Sequence, residues 1–364
     1  MFNPRRWRHF DFWLLGGVAV LVVFGIAMIR SAIAGNETLA GLPARQAQNA
    51  LVGLGVVLVA AVVDYHFWRA LTRPMYIGLL AVLLYLEISG ATTFGAARWL
   101  DLGFTQVQPS ELAKVLLILI LADDISRNEE RIRTWGGVLR SLALAAVPAF
   151  VIFRQPDLST AILTMVLWAA IIFAAGIKPK HLATLAGGAL LVLIVAFPFL
   201  EFYQKQRLVL FLAPEADPGA RYNVDQALIS IGSGGWFGQG YAHGSQVQLR
   251  FLKVRHTDFI FSALAEEFGW VGAFAVLLLL AFVIYRCLRA ARTARDTFGA
   301  LIGYGVATLI FYQAAFNIGM NLNLLPVAGL PLPFISYGGS ALWSALLGVG
   351  LVESVVIHRQ ELEF

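Results

Sequence analysis

The chain has 364 residues, of which 59% are hydrophobic and 13% charged, with a net charge of +5. A soluble domain carries about 25% charged residues, so this composition excludes a soluble globular protein and points to the membrane. Its one cysteine, Cys287, excludes an internal disulfide and a cysteine metal site.

The chain opens with "RRWRH", an apolar run and "AIAG", which has the outline of a secretory leader. The run is longer than a leader uses, and more apolar segments follow, so it reads as a retained first span. Crossing a bilayer takes about 20 apolar residues. Ten segments qualify, at 12–34, 49–64, 74–91, 109–123, 138–153, 157–176, 182–200, 259–285, 299–320 and 334–357. Backbone polar groups in lipid must satisfy one another, so the expected fold is all-α and polytopic, with ten transmembrane helices in one domain over residues 1–364. Lys and Arg set the orientation. Arg5, Arg6, Arg8, Arg69, Arg73, Arg127, Arg131, Arg133, Lys178, Lys180, Arg286, Arg289, Arg292, Arg295 and Arg359 fall on one side, and the short loops of the other side hold Arg45, Arg98 and Arg154. Both termini are expected in the cytoplasm, and the positive charge reflects topology, with no nucleic-acid partner implied.

The motifs follow in chain order. In "GAARWLDLG", Arg98 beside Trp99 is either an interface anchor or a phosphate contact, since Arg binds phosphate in a bidentate manner. "QVQPSELAK" starts a helix at Pro109 and places Glu111 and Lys114 on one face. Charges inside an apolar helix need a partner or a wet cavity, so the two form a structural ion pair or a cavity wall for an anionic substrate. "FRQPDLSTA" puts Asp157 at a helix start, as a cap, in a short outer hairpin.

The connection at about 201–256 is the one long loop, and it lies outside between segments seven and eight. Its first dozen residues, "EFYQKQRLVLFL", read as an interfacial amphipathic helix, and "YNVDQALISI" as a short helix. The glycines of "GSGGWFGQGYAHG" forbid a regular helix there and allow close backbone approach. Long ordered loops tend to be functional. No internal repeat is evident, which weakens a transporter built on inverted repeats.

"RHTDF" then puts Asp258 where the chain re-enters lipid. Asp258 is either a helix cap or a general base at the outer boundary. Arg255 and His256 are expected to hold it ionised, which weakens it as a base unless burial offsets them. Glu266 lies eight residues further on, about 12 Å along a helix, so it and Glu267 are expected to meet an Arg or Lys from another segment. Finally, in "NLNLLPVAGLPLPFISYGGSALW", Pro326, Pro331 and Pro333 break the approach to the last span, which is tolerated only against protein or a cavity.

Together "GAARWLDLG", "QPSELAK", "QPDLSTA", "QRLVLFLAPEADP", "ISIGSGGWFGQGY", "HGSQVQLRFL", "RHTDFIFSALAEEFG" and "LPVAGLPLPFISYGGSALW" resemble the SEDS family (shape, elongation, division and sporulation) over nearly the whole length. "RHTDF" and "GGSAL" resemble its elongation branch more than its division branch. The chain departs from the family at Lys253-Val254, where Pro-Glu is usual. The resemblance implies a peptidoglycan glycosyltransferase in the bacterial plasma membrane that polymerises lipid II and works with a class B penicillin-binding protein. It places the family's essential aspartate at Asp258, the base, with His256 and Thr257 beside it. The leaving diphosphate needs cations, which Arg45, Arg98, Arg207, Lys114 or a divalent ion (Mg or Mn) could supply. Asp157, Gln108 and Trp99 are expected to support the site, with Glu111 and Lys114 as a cavity pair. The competing readings are a lipid II flippase and a wall-complex scaffold.

Overall fold

The computed structural model describes residues 9–89, 99–101, 103, 106–199, 205–206, 209, 211–213, 218–249, 251–252 and 254–359. Arg98, Arg207, Lys253 and most of the stretch expected to form an interfacial helix lie outside them.

Twelve α-helices run through the described residues: α1 Phe12–Ala32, α2 Leu42–Val62, α3 Tyr65–Ser89, α4 Pro109–Ser126, α5 Trp135–Arg154, α6 Leu158–Ala174, α7 Pro179–Ala196, α8 Pro218–Gly234, α9 Ser245–Gln248, α10 Ile260–Arg292, α11 Thr297–Asn321 and α12 Gly339–Ile357. A two-residue antiparallel ladder, β1 Leu100–Asp101 with β2 Gln106–Val107, precedes α4. Each of the ten apolar segments coincides with a helix. Among the described residues, seven helices are long and apolar enough to cross a membrane: α1, α2 with the turn before it, α3, α5, α10, α11 and α12. The protein is a multi-pass helical membrane protein.

Local signals start several of the helices, Asp157 as expected. Asp11, Thr134, Asp157 and Asp296 accept the first free N–H groups of α1, α5, α6 and α11. α12 sits at the centre, with 83% of its apolar window buried, against 22% for α3 on the periphery. Gly350 lets it meet α2, since a Cβ there would lie 2.8 Å from the Ala60 Cβ and 2.9 Å from the Val57 carbonyl. Small residues of this kind let helices approach where lipid gives no hydrophobic drive.

The glycine-rich stretch differs from expectation in one respect: α8 runs to Gly234, through its first residues. Beyond α8, the stretch packs backbone to backbone on α10. That helix breaks at Gly269, where φ is 66° and ψ −164°. The break frees main-chain groups, and the loop takes them up: Gln239 and Gly240 N–H donate to the Glu266 and Glu267 carbonyls at 2.9 and 3.0 Å. In return, Trp270 and Val271 N–H donate to the Gly235 and Trp236 carbonyls at 2.8 and 3.1 Å. A Cβ on Gly269 would lie 2.4 Å from the Gly238 nitrogen. Gly269→Ala is therefore expected to destabilise the fold by about 1–3 kcal/mol through backbone strain, before any clash. The check is the thermal midpoint of the detergent-solubilised protein, and an unchanged midpoint would count against this staple.

Glu266 and Glu267 correct a second expectation. Among the described residues, neither meets an Arg or Lys. Glu266 accepts N–H groups from Gln246 at 2.7 Å and Val247 at 3.2 Å, and Glu267 accepts the Ser31 hydroxyl. The partners described are neutral donors that fix the loop before α10 to the bundle.

Candidate active site

A cavity of about 1190 Å³ opens between α2, the β1–β2 region, the α5–α6 hairpin, the turn before α10 and the proline-rich segment after α11. Arg45, Trp99, Gln108, Glu111, Asp157, His256, Thr257 and Asp258 all line it. Lys114 reaches it through Glu111, donating to Oε2 at 2.6 Å. Nine of the eleven residues named from the sequence thus gather at one place; the other two, Arg98 and Arg207, lie outside the described residues.

Each wall is held by its own polar bonds. Gln108 stands at the start of α4: its N–H donates to Ser340 Oγ at 3.0 Å, and its side chain donates to Ser110 Oγ at 3.0 Å and Asp157 Oδ2 at 3.1 Å. Asp157 Oδ1 accepts the Thr160 N–H at 3.2 Å, so this residue is a cap and also ties α4 to α6. Ser344 Oγ donates to the Glu111 carbonyl at 2.7 Å, fastening α4 to α12. Glu111 and Lys114 are a buried pair, with side chains 7% and 1% exposed.

Asp258 does not cap α10. The cap position is Phe259, whose own side chain makes no capping bond. Asp258 lies in the turn just before, partly buried, facing the cavity. Opposite stands Gly329 at φ 67°, where even a Cβ would come 3.9 Å from Asp258 Oδ2. Any larger side chain at 329 would crowd the carboxylate.

The two basic neighbours of Asp258 are held in different ways. Arg255 is buried and spends Nε on the Ala32 carbonyl and Nη1 on the Leu252 carbonyl at 3.2 Å. His256 is held below the ordinary histidine pKa by burial and then by the Arg255 charge, so it is neutral at neutral pH. The folded chain refuses a proton that the unfolded chain accepts. Stability on this account is present above about pH 6.5 and declines as the pH falls below it. His256→Asn is expected to flatten the drop in thermal midpoint between about pH 7 and about pH 5; an identical slope would contradict this.

The donor set does not fit a divalent ion held by the protein. Among the described residues, no three His, Cys, Asp or Glu side chains gather at one point. Asp157 and Glu111 already accept from Gln108, Thr160 and Lys114.

The sequence reading missed several lining groups. Gln48 and Asn49 share the Arg45 face of α2, three and four residues on; Ser159 and Ser340 stand in the first turns of α6 and α12, and Tyr337 comes from the loop before α12. The spacing Arg45, Gln48, Asn49, Val52 is a helical stripe of polar residues leading into an apolar run, and it was the available signal.

A membrane-embedded bundle around a cavity lined by charged and polar side chains defines the class. The family model FTSW_RODA_SPOVE, described as a cell cycle protein, matches residues 7–361, and the chain belongs to that family. It is similar to the peptidoglycan glycosyltransferase MrdB of Escherichia coli (strain K12), 38% identical over 374 residues, covering 99% of this chain and 98% of that protein. It is also similar to the probable peptidoglycan glycosyltransferase FtsW of Geobacter sp. (strain M18), 34% identical, with 96% and 98% covered. Among solved structures it resembles the rod shape determining protein RodA of Thermus thermophilus, at TM-score 0.72 and 29% identity over 97% of this chain and 98% of that one. It also resembles a chain in a peptidoglycan synthase complex that coordinates polymerization and crosslinking, at TM-score 0.83 and 31% identity over 96% and 98%.

Proposed function

We propose that this chain is a peptidoglycan glycosyltransferase that polymerises lipid II during cell elongation, with Asp258 as the general base. The observation that carries the reading is the convergence of Asp258, the Glu111–Lys114 pair and Arg45 on one large cavity from distant parts of the chain. At about 1190 Å³ the cavity exceeds what a drug-sized ligand fills, and it suits a lipid-linked sugar head group.

The chemistry is an inverting transfer. The 4-hydroxyl of one sugar gives its proton to Asp258 as its oxygen attacks the anomeric carbon of the donor. The bond from that carbon to the lipid diphosphate breaks, and the diphosphate leaves with the electron pair. Asp258 then passes its proton to water. Arg45, exposed at the cavity, is placed to meet the diphosphate, with Lys114 as a second cation behind Glu111. His256 and Thr257 flank the acceptor, and Gln108, Trp99 and Asp157 shape the opposite wall. Arg45→Gln is expected to cut the polymerisation rate about tenfold or more, the worth of one charged hydrogen bond. A wild-type rate would remove Arg45 from the phosphate site.

The topology follows from the same reading. α4, α6 and α7 are further crossings, giving ten. α4 carries Glu111, Lys114, Asp123 and Asp124, but it is buried among other helices, where such charges are tolerated. Both termini lie in the cytoplasm, and the loop at about 201–256 lies outside the plasma membrane. The similarity to a chain of a peptidoglycan synthase complex supports a class B penicillin-binding protein as partner.

The test gives purified chain and partner labelled lipid II in detergent. Glycan polymer supports the proposal. Movement of lipid II across vesicles without polymer would replace it with a flippase.

A further inference from the structure

Were α10 to begin one residue earlier, the carbonyl of Asp258 would accept the N–H of Ser262 four residues on. It does not. Ser262 N–H donates to Asn321 Oδ1 at 3.2 Å, and Ser262 Oγ donates to the same oxygen at 2.6 Å. Asn321 Nδ2 in turn donates to the Asp258 carbonyl at 3.0 Å. The carboxamide stands in the gap of the helix ladder, taking the donor on its oxygen and supplying a replacement from its nitrogen. Because Ser262 N–H is a fixed donor, it also sets which way round the amide lies. Asn321 is fully buried at the end of α11.

The turn is held at each of its residues. Asn317, also fully buried, donates to the Asp258 carbonyl at 3.1 Å and to the Leu330 carbonyl at 2.8 Å. Leu330 adjoins Gly329, the residue facing the Asp258 carboxylate, so one amide sets the spacing of the two walls. Ser336 Oγ donates to the Thr257 carbonyl at 2.8 Å, and Tyr337 N–H donates to the His256 carbonyl at 2.9 Å. Three consecutive carbonyls are thus gripped by the segment from α11 to α12. Four separate donors on three consecutive carbonyls immobilise the one residue whose placement the chemistry depends on.

We infer that Asn321, assisted by Asn317 and Ser336, is a positioning residue that holds Asp258 out of helix α10 and in the cavity. This rests on Asp258 acting as the base. Without the carboxamide, the Asp258 carbonyl can fall back onto the Ser262 N–H. The helix then gains a residue at its start, and the carboxylate turns away from the sugar. The main-chain bond that forms compensates for the ones lost, so the fold survives while the chemistry fails.

The experiment compares Asn321→Leu, of similar volume, with wild type and Asp258→Asn, using purified full-length chain, its partner and lipid II. For Asn321→Leu, kcat is expected to fall about tenfold to hundredfold, the cost of a misplacement on the order of 1 Å. KM for lipid II and the thermal midpoint stay near wild type. A wild-type kcat, or a loss that merely tracks the fraction of folded protein, overturns the inference. If Asn321→Leu does not fold, Ser336→Ala decides: a several-fold fall in kcat at unchanged KM supports the clamp, and no fall overturns it. An active Asp258→Asn would instead sink the base itself. An inactive Asp258→Asn beside a fully active Asn321→Leu would sink only the clamp.

Discussion

Replacing Lys114 by methionine is expected to destabilise the folded protein by about 3–5 kcal/mol, the cost of leaving a buried charge without its partner. Lys114 and Glu111 are one helical turn apart on α4, their side chains 1% and 7% exposed, with Nζ 2.6 Å from Oε2. Methionine keeps the volume and apolar stem of lysine but removes the ammonium. The Glu111 carboxylate must then stay charged in a poor solvent or take up a proton. Replacing both residues, with Glu111→Gln and Lys114→Met together, is expected to recover much of the lost stability. Polymerisation should not recover with it, because Glu111 lines the cavity. The thermal midpoint in detergent and the polymer yield separate the two effects. A single variant as stable as wild type would show that the pair carries no buried charge.

Asp258→Asn is expected to lower steady-state polymerisation by about 10²–10⁴-fold, the usual contribution of a positioned general base. The amide matches the carboxylate in size and leaves the backbone turn intact, since the carbonyl gripped by Asn317 and Asn321 is unchanged. What it loses is the capacity to take a proton from the sugar hydroxyl. Asp258→Glu keeps that capacity but reaches one methylene further toward Gly329, where a Cβ would already lie 3.9 Å from the aspartate oxygen. Its rate should fall between the other two. Folded yield and the thermal midpoint should hold in both variants. A flippase or a scaffold would tolerate the amide.

Much of the fold was legible because lipid imposes a simple pattern: a long apolar run is a helix. The errors fell where a helix meets something other than lipid. α3 begins at Tyr65, nine residues before the apolar run read at 74, because its early turns carry His66, Arg69 and Thr72. These bond to Asp296 and Asp123 across the bundle. α2 begins at Leu42 although the apolar run starts at 49, because its first turns present Arg45 and Gln48 to the cavity. Hydropathy reports lipid contact, so it misses a helix that lines a wet space.

Within the site, local chemistry was readable and distant pairing was not. The Glu111–Lys114 pair and the Asp157 cap follow from spacings of three residues. The partners of Glu266 and Glu267 lie about 20 and 236 residues away, and most are main-chain or hydroxyl groups, which carry no charge to match. Asp258 was placed correctly at the start of α10 but misjudged as a possible cap, because the residue that displaces it from the helix, Asn321, is 63 positions further on.

The most direct test of the central claim is single-turnover transfer with saturating labelled lipid II, which isolates the chemical step from substrate capture and product release. With Asp258→Asn the disaccharide should bind as in wild type, while the transfer rate falls at least about a hundredfold. A mutant that binds and transfers at the wild-type rate would show that Asp258 removes no proton.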